Sequence, residues 1–106
     1  MDTYNEVKLS GEIITDIELH TSNAGKKLCN FSLALEKEEE KGHSSNFEMV
    51  VPICAMEETA EELIEKAQKG NHLIVTNGEI SVGSYVTGKE KRFVTTILVR
   101  NFKILY

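Results

Sequence analysis

The chain opens with a segment in which apolar and polar residues alternate, from residue 5 to residue 19. One face of its first half carries only apolar residues and glycine: Val7, Leu9, Gly11 and Ile13. A period of two with one apolar face is typical of a half-buried strand. Because glycine has no side chain to pack, Gly11 within this run predicts a bend or a close approach of another backbone.

Two further segments alternate in the same way, at residues 28–35 and 47–53. Between them, residues 36–46 are highly charged and include no apolar anchor, which predicts a long surface loop. Pro52, the only proline, cannot donate a ladder hydrogen bond. It therefore predicts a strand edge, a bulge or a strand end.

The pattern becomes helical between residues 59 and 69. Apolar side chains recur there at the spacing of one narrow helical stripe: Ala60, Leu63, Ile64 and Ala67. Thr59 and Glu62 are three residues apart, which predicts a capping box at the N-terminus of the helix. Gly70 predicts the cap at its C-terminus.

A strand pair is predicted after the helix, at residues 73–82 and 92–105, joined by a tip rich in glycine and lysine. The returning strand is apolar on both faces from residue 93 to residue 99, which predicts that both faces are covered there. Association between subunits is one explanation.

The order of these elements, β-β-β-α-β-β, is that of an OB-fold. We therefore predict an all-β protein, a five-stranded OB-fold barrel with one helix between strands 3 and 4. A chain of 106 residues is large enough for a single core, so residues 1–106 are predicted to form one domain.

The charge distribution is uneven. The chain has a net charge of −5, whereas nucleic-acid-binding domains are usually basic. Residues 1–80 carry seven Lys or Arg against sixteen Asp or Glu, but residues 81–106 carry five against Glu90 alone. Much of the acid lies in residues 36–40 and 57–65, where a solvated surface is expected. The last hairpin is thus the positive pole and the place to expect phosphate contacts.

The sequence gives little support for catalysis, metal binding or a membrane location. His20, His43 and His72 lie apart with no ligand-spaced partner, so we expect no enzyme activity, metal, cofactor or small-molecule substrate. No apolar run is long enough to span a membrane, and the first residues do not resemble a signal peptide. Cys29 and Cys54 have apolar flanks typical of buried thiols, which favours the reducing cytoplasm.

Aromatic residues beside cations are the strongest functional signal. Single strands are held when bases stack on aromatic rings and phosphates meet Lys or Arg. Tyr85 lies in a polar arm of the hairpin and is close in sequence to three cations: Lys89, Lys91 and Arg92. Cross-strand packing is the alternative interpretation of Tyr85. Phe47 is a second candidate, with burial in the core as its alternative.

Several sequence segments resemble bacterial single-stranded DNA-binding proteins. The resemblance runs in order from residue 5 to 105, and its most distinctive pieces are Asn30-Phe31-Ser32-Leu33-Ala34 and Gly78-Glu79-Ile80. It also includes Gly25-Lys26-Lys27, Phe47-Glu48-Met49-Val50-Val51, Tyr85 and Arg92-Phe93-Val94-Thr95. It implies single-stranded DNA binding without sequence preference, usually by a homotetramer, with Phe47 and Tyr85 as stacking residues. Lys26 and Lys27, which close a turn-rich loop, join the cationic candidates.

The chain departs from the family pattern at two other stacking positions. Charged residues 36–41 stand where the family often has an aromatic residue, and Ile53, Cys54 and Ala55 replace an aromatic-Gly-Lys segment. Tryptophan is absent, and the family's acidic tail has no counterpart. Because one base stack contributes about 1–3 kcal/mol, we expect weaker or altered DNA binding.

These departures suggest a protein of a phage or mobile element. The resemblance implies that it acts in DNA replication, repair or recombination. Two alternatives stay open. One is a dimeric replication accessory without a tail, like the primosomal replication protein that shares this fold. The other is an OB-fold that now serves as a protein-interaction module, which the acidic loop and helix favour.

Overall fold

The structure is a computed structural model that describes residues 3–35 and 49–105. Its elements follow the order β1 (Val7–Ile13), β2 (Glu18–Thr21), β3 (Lys27–Leu35), β4 (Met49–Met56), α1 (Glu57–Lys66), β5 (His72–Thr87) and β6 (Glu90–Leu105). The predicted loop at residues 36–46 and the predicted strand start at Phe47 lie outside the described residues.

Five of the strands close into a ring. Neighbouring strands follow the order β1-β5-β6-β4-β3, and β1 pairs with β3 to complete the circle. The contact between β4 and β6 is parallel and aligns Ile53 with Ile97 and Cys54 with Leu98. With one helix inserted before the last two strands, this ring confirms the predicted all-β OB-fold class.

The first predicted strand is in fact two strands. Residues 14–17 leave the sheet, so β1 and β2 pair separately with β3, at Ile13↔Leu33 and Glu18↔Asn30 respectively. A side-chain hydrogen bond stabilises this interruption of the strand: the backbone N–H of Ser32 donates to Thr15 Oγ1 at 2.9 Å. A hydroxyl thus replaces a backbone acceptor where the ladder is interrupted.

The core lies inside the ring and beneath the helix. Its fully buried larger side chains come from every element except β2: Ile13, Cys29, Leu33, Ile53, Leu63, Leu73, Val75 and Val99. The predicted inward faces of β1 and β3 are confirmed, although Met49 at the start of β4 is exposed. Burial raises the pKa of the Cys29 thiol to about 11. Cys54, also predicted to be buried, is only partly so.

Helix α1 begins and ends earlier than predicted. β4 runs directly into it at Met56, and Glu57 makes the turn with a positive φ of 53°. Thr59 therefore lies inside the helix, and no side chain caps its N-terminus. The helix ends at Lys66, while Gly70, with a φ of 97°, donates its N–H to the Ile13 carbonyl at 2.8 Å. Gly70 thus bonds to the end of β1 and does not cap the helix.

The predicted stripe of α1 is confirmed at three of its four positions. Ala60, Leu63 and Ala67 are buried against the ring, whereas Ile64 is 37% exposed. The returning strand β6 also differs in part from the prediction. The chain itself buries Ile97, Leu98 and Val99, but Phe93 and Val94 are exposed.

Gly11 lies where β1 crosses β3 and closes the ring. A Cβ at this position would stand 2.5 Å from the Ala34 carbonyl oxygen, closer than atoms can approach without a shift of the backbone. The predicted close approach is confirmed.

Replacing Gly11 with alanine should therefore destabilise the fold. We expect Gly11→Ala to lower the free energy of unfolding by about 1–3 kcal/mol, as overpacked sites do. Gly83→Ala is the matched control, since a Cβ there meets no heavy atom within 4 Å. Urea denaturation of both variants is the measurement, and equal stability of the two would contradict the proposed clash.

Candidate nucleic-acid interface

Strands β5 and β6 continue beyond the ring as a two-stranded ribbon. β1 pairs with β5 as far as Gly78. Beyond that point, the side chain of Asn5 forms hydrogen bonds with the backbone of β5. Its amide donates to the Ile80 carbonyl at 2.9 Å and accepts the Ile80 N–H at 2.8 Å. Among the described residues, 81–87 and 90–96 then pair with each other only, around a turn in which Gly88 has a φ of 63°.

The pairing register assigns every residue of the ribbon to one of two faces, because residues directly opposite each other point the same way. We call one side the front face: Ser81, Gly83, Tyr85 and Thr87, opposite Thr96, Val94, Arg92 and Glu90. The other side is the reverse face: Val82, Ser84 and Val86, opposite Thr95, Phe93 and Lys91.

The front face of the ribbon continues onto the outer surface of the ring. The Cys54 thiol lies 3.6 Å from Thr96 Oγ1, which joins β4 to the base of the ribbon. Cys54 is opposite Asn30, and Pro52 is opposite Ser32, along the β3–β4 ladder. Asn30, Ser32, Pro52 and Thr96 line an open depression of about 640 Å³. Small and polar side chains thus leave room for a ligand across this surface.

The depression carries charges of both signs. Its lining includes two carboxylates, Asp16 and Glu18, and one cation, Lys69. Glu18 is 3.4 Å from His20 through Oε2 and Nε2. The depression can therefore accept bases and hydroxyls, whereas its carboxylates oppose a dense run of phosphates.

Tyr85 lies on the front face of the ribbon, directly opposite Arg92. Its side chain is 49% exposed, and the preceding residue on the same face of β5 is Gly83, which has no side chain to cover the ring. The Arg92 guanidinium is 3.1 Å from a Glu90 carboxylate oxygen. An aromatic ring and a guanidinium therefore project from opposite positions of the same face, and the guanidinium is held in an exposed ion pair.

The three cations grouped with Tyr85 in the sequence are separated in the structure. Lys89 occupies the turn, and Lys91 points to the reverse face. The Lys91 ammonium lies 5.6 Å from the centroid of the Phe93 ring. Only Arg92 shares a face with Tyr85.

Lys26 and Lys27 lie at the start of β3, away from the ribbon. Lys27 forms an ion pair with Glu61 of the helix, which raises the pKa of the lysine. Lys26 closes a tight turn, because its N–H donates to Ser22 Oγ at 3.1 Å and its carbonyl accepts the Ser22 N–H at 2.8 Å. These two cations are therefore not part of the ribbon surface. Phe47, the other stacking candidate, lies outside the described residues.

Two polar residues of the front surface, Asn30 and Thr96, were not identified from the sequence as candidates. Phe93, the more exposed of the two rings on the ribbon at 67%, was also missed. The alternation of side chains along a strand could have separated these residues. Counting back from the turn places successive residues on opposite faces of the ribbon.

Residues 3–35 and 49–105 contain no group of three or more His, Cys, Asp or Glu arranged to hold a metal ion. Within the same ranges, no helix has the length and apolar character needed to cross a membrane.

Comparisons with known proteins agree with this architecture. The model of the single-strand binding protein family matches residues 4–105. Among solved structures, 168 chains match this one. A similar one is described as Plasmodium falciparum SSB in complex with ssDNA, with a TM-score of 0.79 and 20% identity over 99% of this chain and 96% of that chain. At that identity the likeness shows a shared fold. No curated protein matches the chain.

Proposed function

Because the chain belongs to the single-strand binding protein family, we propose that it binds single-stranded DNA across the front face of its ribbon and the adjoining depression. The observation that carries this proposal is the pairing of an exposed ring with a cation, Tyr85 beside Arg92, on a surface continuous with that depression. The similar Plasmodium falciparum structure is itself a complex with ssDNA, which supports the same class of ligand.

The proposed mechanism is binding by stacking and charge, without catalysis. A base stacks on Tyr85, where one stack contributes about 1–3 kcal/mol. The neighbouring phosphate displaces Glu90 from Arg92, which is feasible because exposed ion pairs contribute only about 0–1 kcal/mol. Asn30, Ser32 and Thr96 offer hydrogen bonds to sugar and base edges in the depression.

Phe47, Lys26, Lys27 and Lys89 are further proposed contacts. Phe47 carries over from the family resemblance as a second stacking residue. The three lysines would add charge along the path of the strand, although Lys27 must first release Glu61. We further propose that the protein works in the cytoplasm during replication, repair or recombination of DNA.

Binding should be weak and strongly dependent on salt. Counterion release lowers the logarithm of affinity by about 0.7 per phosphate contact for each unit of log salt. Titration of labelled oligo-dT at several salt concentrations measures this slope. If no binding is detected at low salt, the DNA proposal is wrong and the protein-interaction module becomes the better interpretation.

Tyr85→Ala should weaken oligo-dT binding about 5- to 150-fold, the range for one lost stack. Because Tyr85 is half exposed on a polar face, the variant should keep its melting temperature. Tyr85→Phe is the matched control, since it keeps the ring and should keep the affinity. Equal affinity of Tyr85→Ala and the wild type, or an unfolded Tyr85→Ala, would contradict the stacking role.

We also propose that the protein forms a homo-oligomer, a tetramer in preference to a dimer. Within the described residues, the edge of β1 that faces away from β5 pairs with β3 only at Glu12 and Ile13. The edge along residues 7–10 is therefore open to a strand of a second copy. Association would align several weak DNA surfaces and raise avidity without new contacts.

Light scattering at micromolar concentration should give about four times the mass of one chain, as expected for a closed symmetric assembly. Twice the mass would favour the dimeric accessory protein. A single-chain mass would contradict the assembly proposal.

A further inference from the structure

The reverse face of the ribbon carries an exposed aromatic ring that the proposed function does not use. Phe93 is 67% exposed, and its neighbour directly across the ribbon is Ser84, which is too small to cover it. Val82 and Val86 lie diagonally on either side of Ser84 and are 61% and 71% exposed. The ring is therefore open to a flat ligand and bordered by apolar side chains.

The charges of the two faces differ in a way that matters for an anion. On the front face, Arg92 is held by Glu90 at 3.1 Å. On the reverse face, no position from residue 82 to 86 or from 91 to 95 that points this way is an Asp or Glu. Within the described part of the chain, Lys91 forms no ion pair, and its ammonium lies 5.6 Å from the centroid of the Phe93 ring. This cation is therefore available to a phosphate without the loss of a carboxylate partner.

We infer that the reverse face is a second binding surface for single-stranded DNA, on which Phe93 stacks a base and Lys91 pairs with the adjacent phosphate. This inference rests on the proposed function and extends it, because one strand would pass from the front face around the turn to the reverse face. The turn contains only Gly88 and Lys89, so it is narrow and carries a cation of its own. Stacking on a ring beside a cation is the general means of holding single strands.

A second copy of the protein is the competing occupant of this face. In a two-fold contact, the same surface patch of both copies would meet. The reverse faces contain Lys91 and no carboxylate, so such a contact would bring like charges together and remove them from water. Burial of unpaired charge is costly, whereas DNA supplies the missing anion. The charge pattern thus favours nucleic acid.

Fluorescence of a single introduced tryptophan tests the inference directly, because the chain has none of its own. Phe93→Trp, Tyr85→Trp and Leu105→Trp place the fluorophore on the reverse face, on the front face and at the far end of β6. Each full-length variant is titrated with oligo-dT of about 16 nucleotides, the upper end of the site size of one OB-fold. Stacking of a base on the indole quenches its emission.

We expect quenching in Phe93→Trp and Tyr85→Trp and none in Leu105→Trp. Quenching in Tyr85→Trp alone would overturn the inference and leave the proposed function intact. Absence of quenching in both ribbon variants would overturn both proposals. Emission from Phe93→Trp that shifts to the blue with protein concentration and without DNA would show that a second copy covers the face, and would also overturn the inference.

A measurement of DNA affinity provides a second, independent test of the inference. Phe93→Leu keeps the apolar volume but removes the ring, so oligo-dT affinity should fall roughly 5- to 150-fold, as for one lost stack. Phe93→Tyr keeps a ring and should retain the wild-type affinity. The mass in solution and the melting temperature should be unchanged in both variants. Unchanged affinity in Phe93→Leu would refute the role of Phe93.

Discussion

The register between β5 and β6 determines which side chains of this protein can meet a ligand. Successive residues of a strand point to opposite sides, so a slip of one position would move Tyr85 and Arg92 to the face now held by Phe93 and Lys91. Irregularities near Asn77 set this register between the ring and the ribbon. Just beyond them the two strands still contribute Ile97, Leu98 and Val99 to the buried part of the ring, and from residue 81 onward they form an exposed ribbon with two faces.

The regular alternation of the sequence was enough to predict the fold class, because the inward positions of β1 and β3 follow it closely. The boundaries were less predictable because local signals competed with tertiary ones. Thr59 and Glu62 form a sound capping pattern, yet β4 runs into the helix at Met56 and leaves Thr59 no terminal position. Similarly, nothing in residues 14–17 indicates that the Thr15 hydroxyl replaces a backbone acceptor for Ser32.

Prediction of the site was limited by a different factor. Closeness in sequence grouped Lys89, Lys91 and Arg92 with Tyr85, but neighbours along a strand lie on opposite faces. The ion pairs could not be read from the sequence either. The pairing of Lys27 with Glu61 depends on the helix packing across the end of the ring, and that contact joins residues 34 positions apart. A negative net charge is thus compatible with local surfaces on which cations lie beside aromatic rings.

The two hydrogen bonds between Asn5 and Ile80 mark the last point at which the first part of the chain holds the ribbon. Tyr85 lies five residues further out, which is about 16 Å along an extended strand. The base of the ribbon is therefore held by the Asn5 side chain on β5 and by the contact between Cys54 and Thr96 on β6. A rotation of about 10° at Ile80 would carry the Tyr85 ring roughly 3 Å at that strand rise. These contacts at the base of the ribbon thus limit how far the aromatic ring can move relative to the depression on the ring of strands.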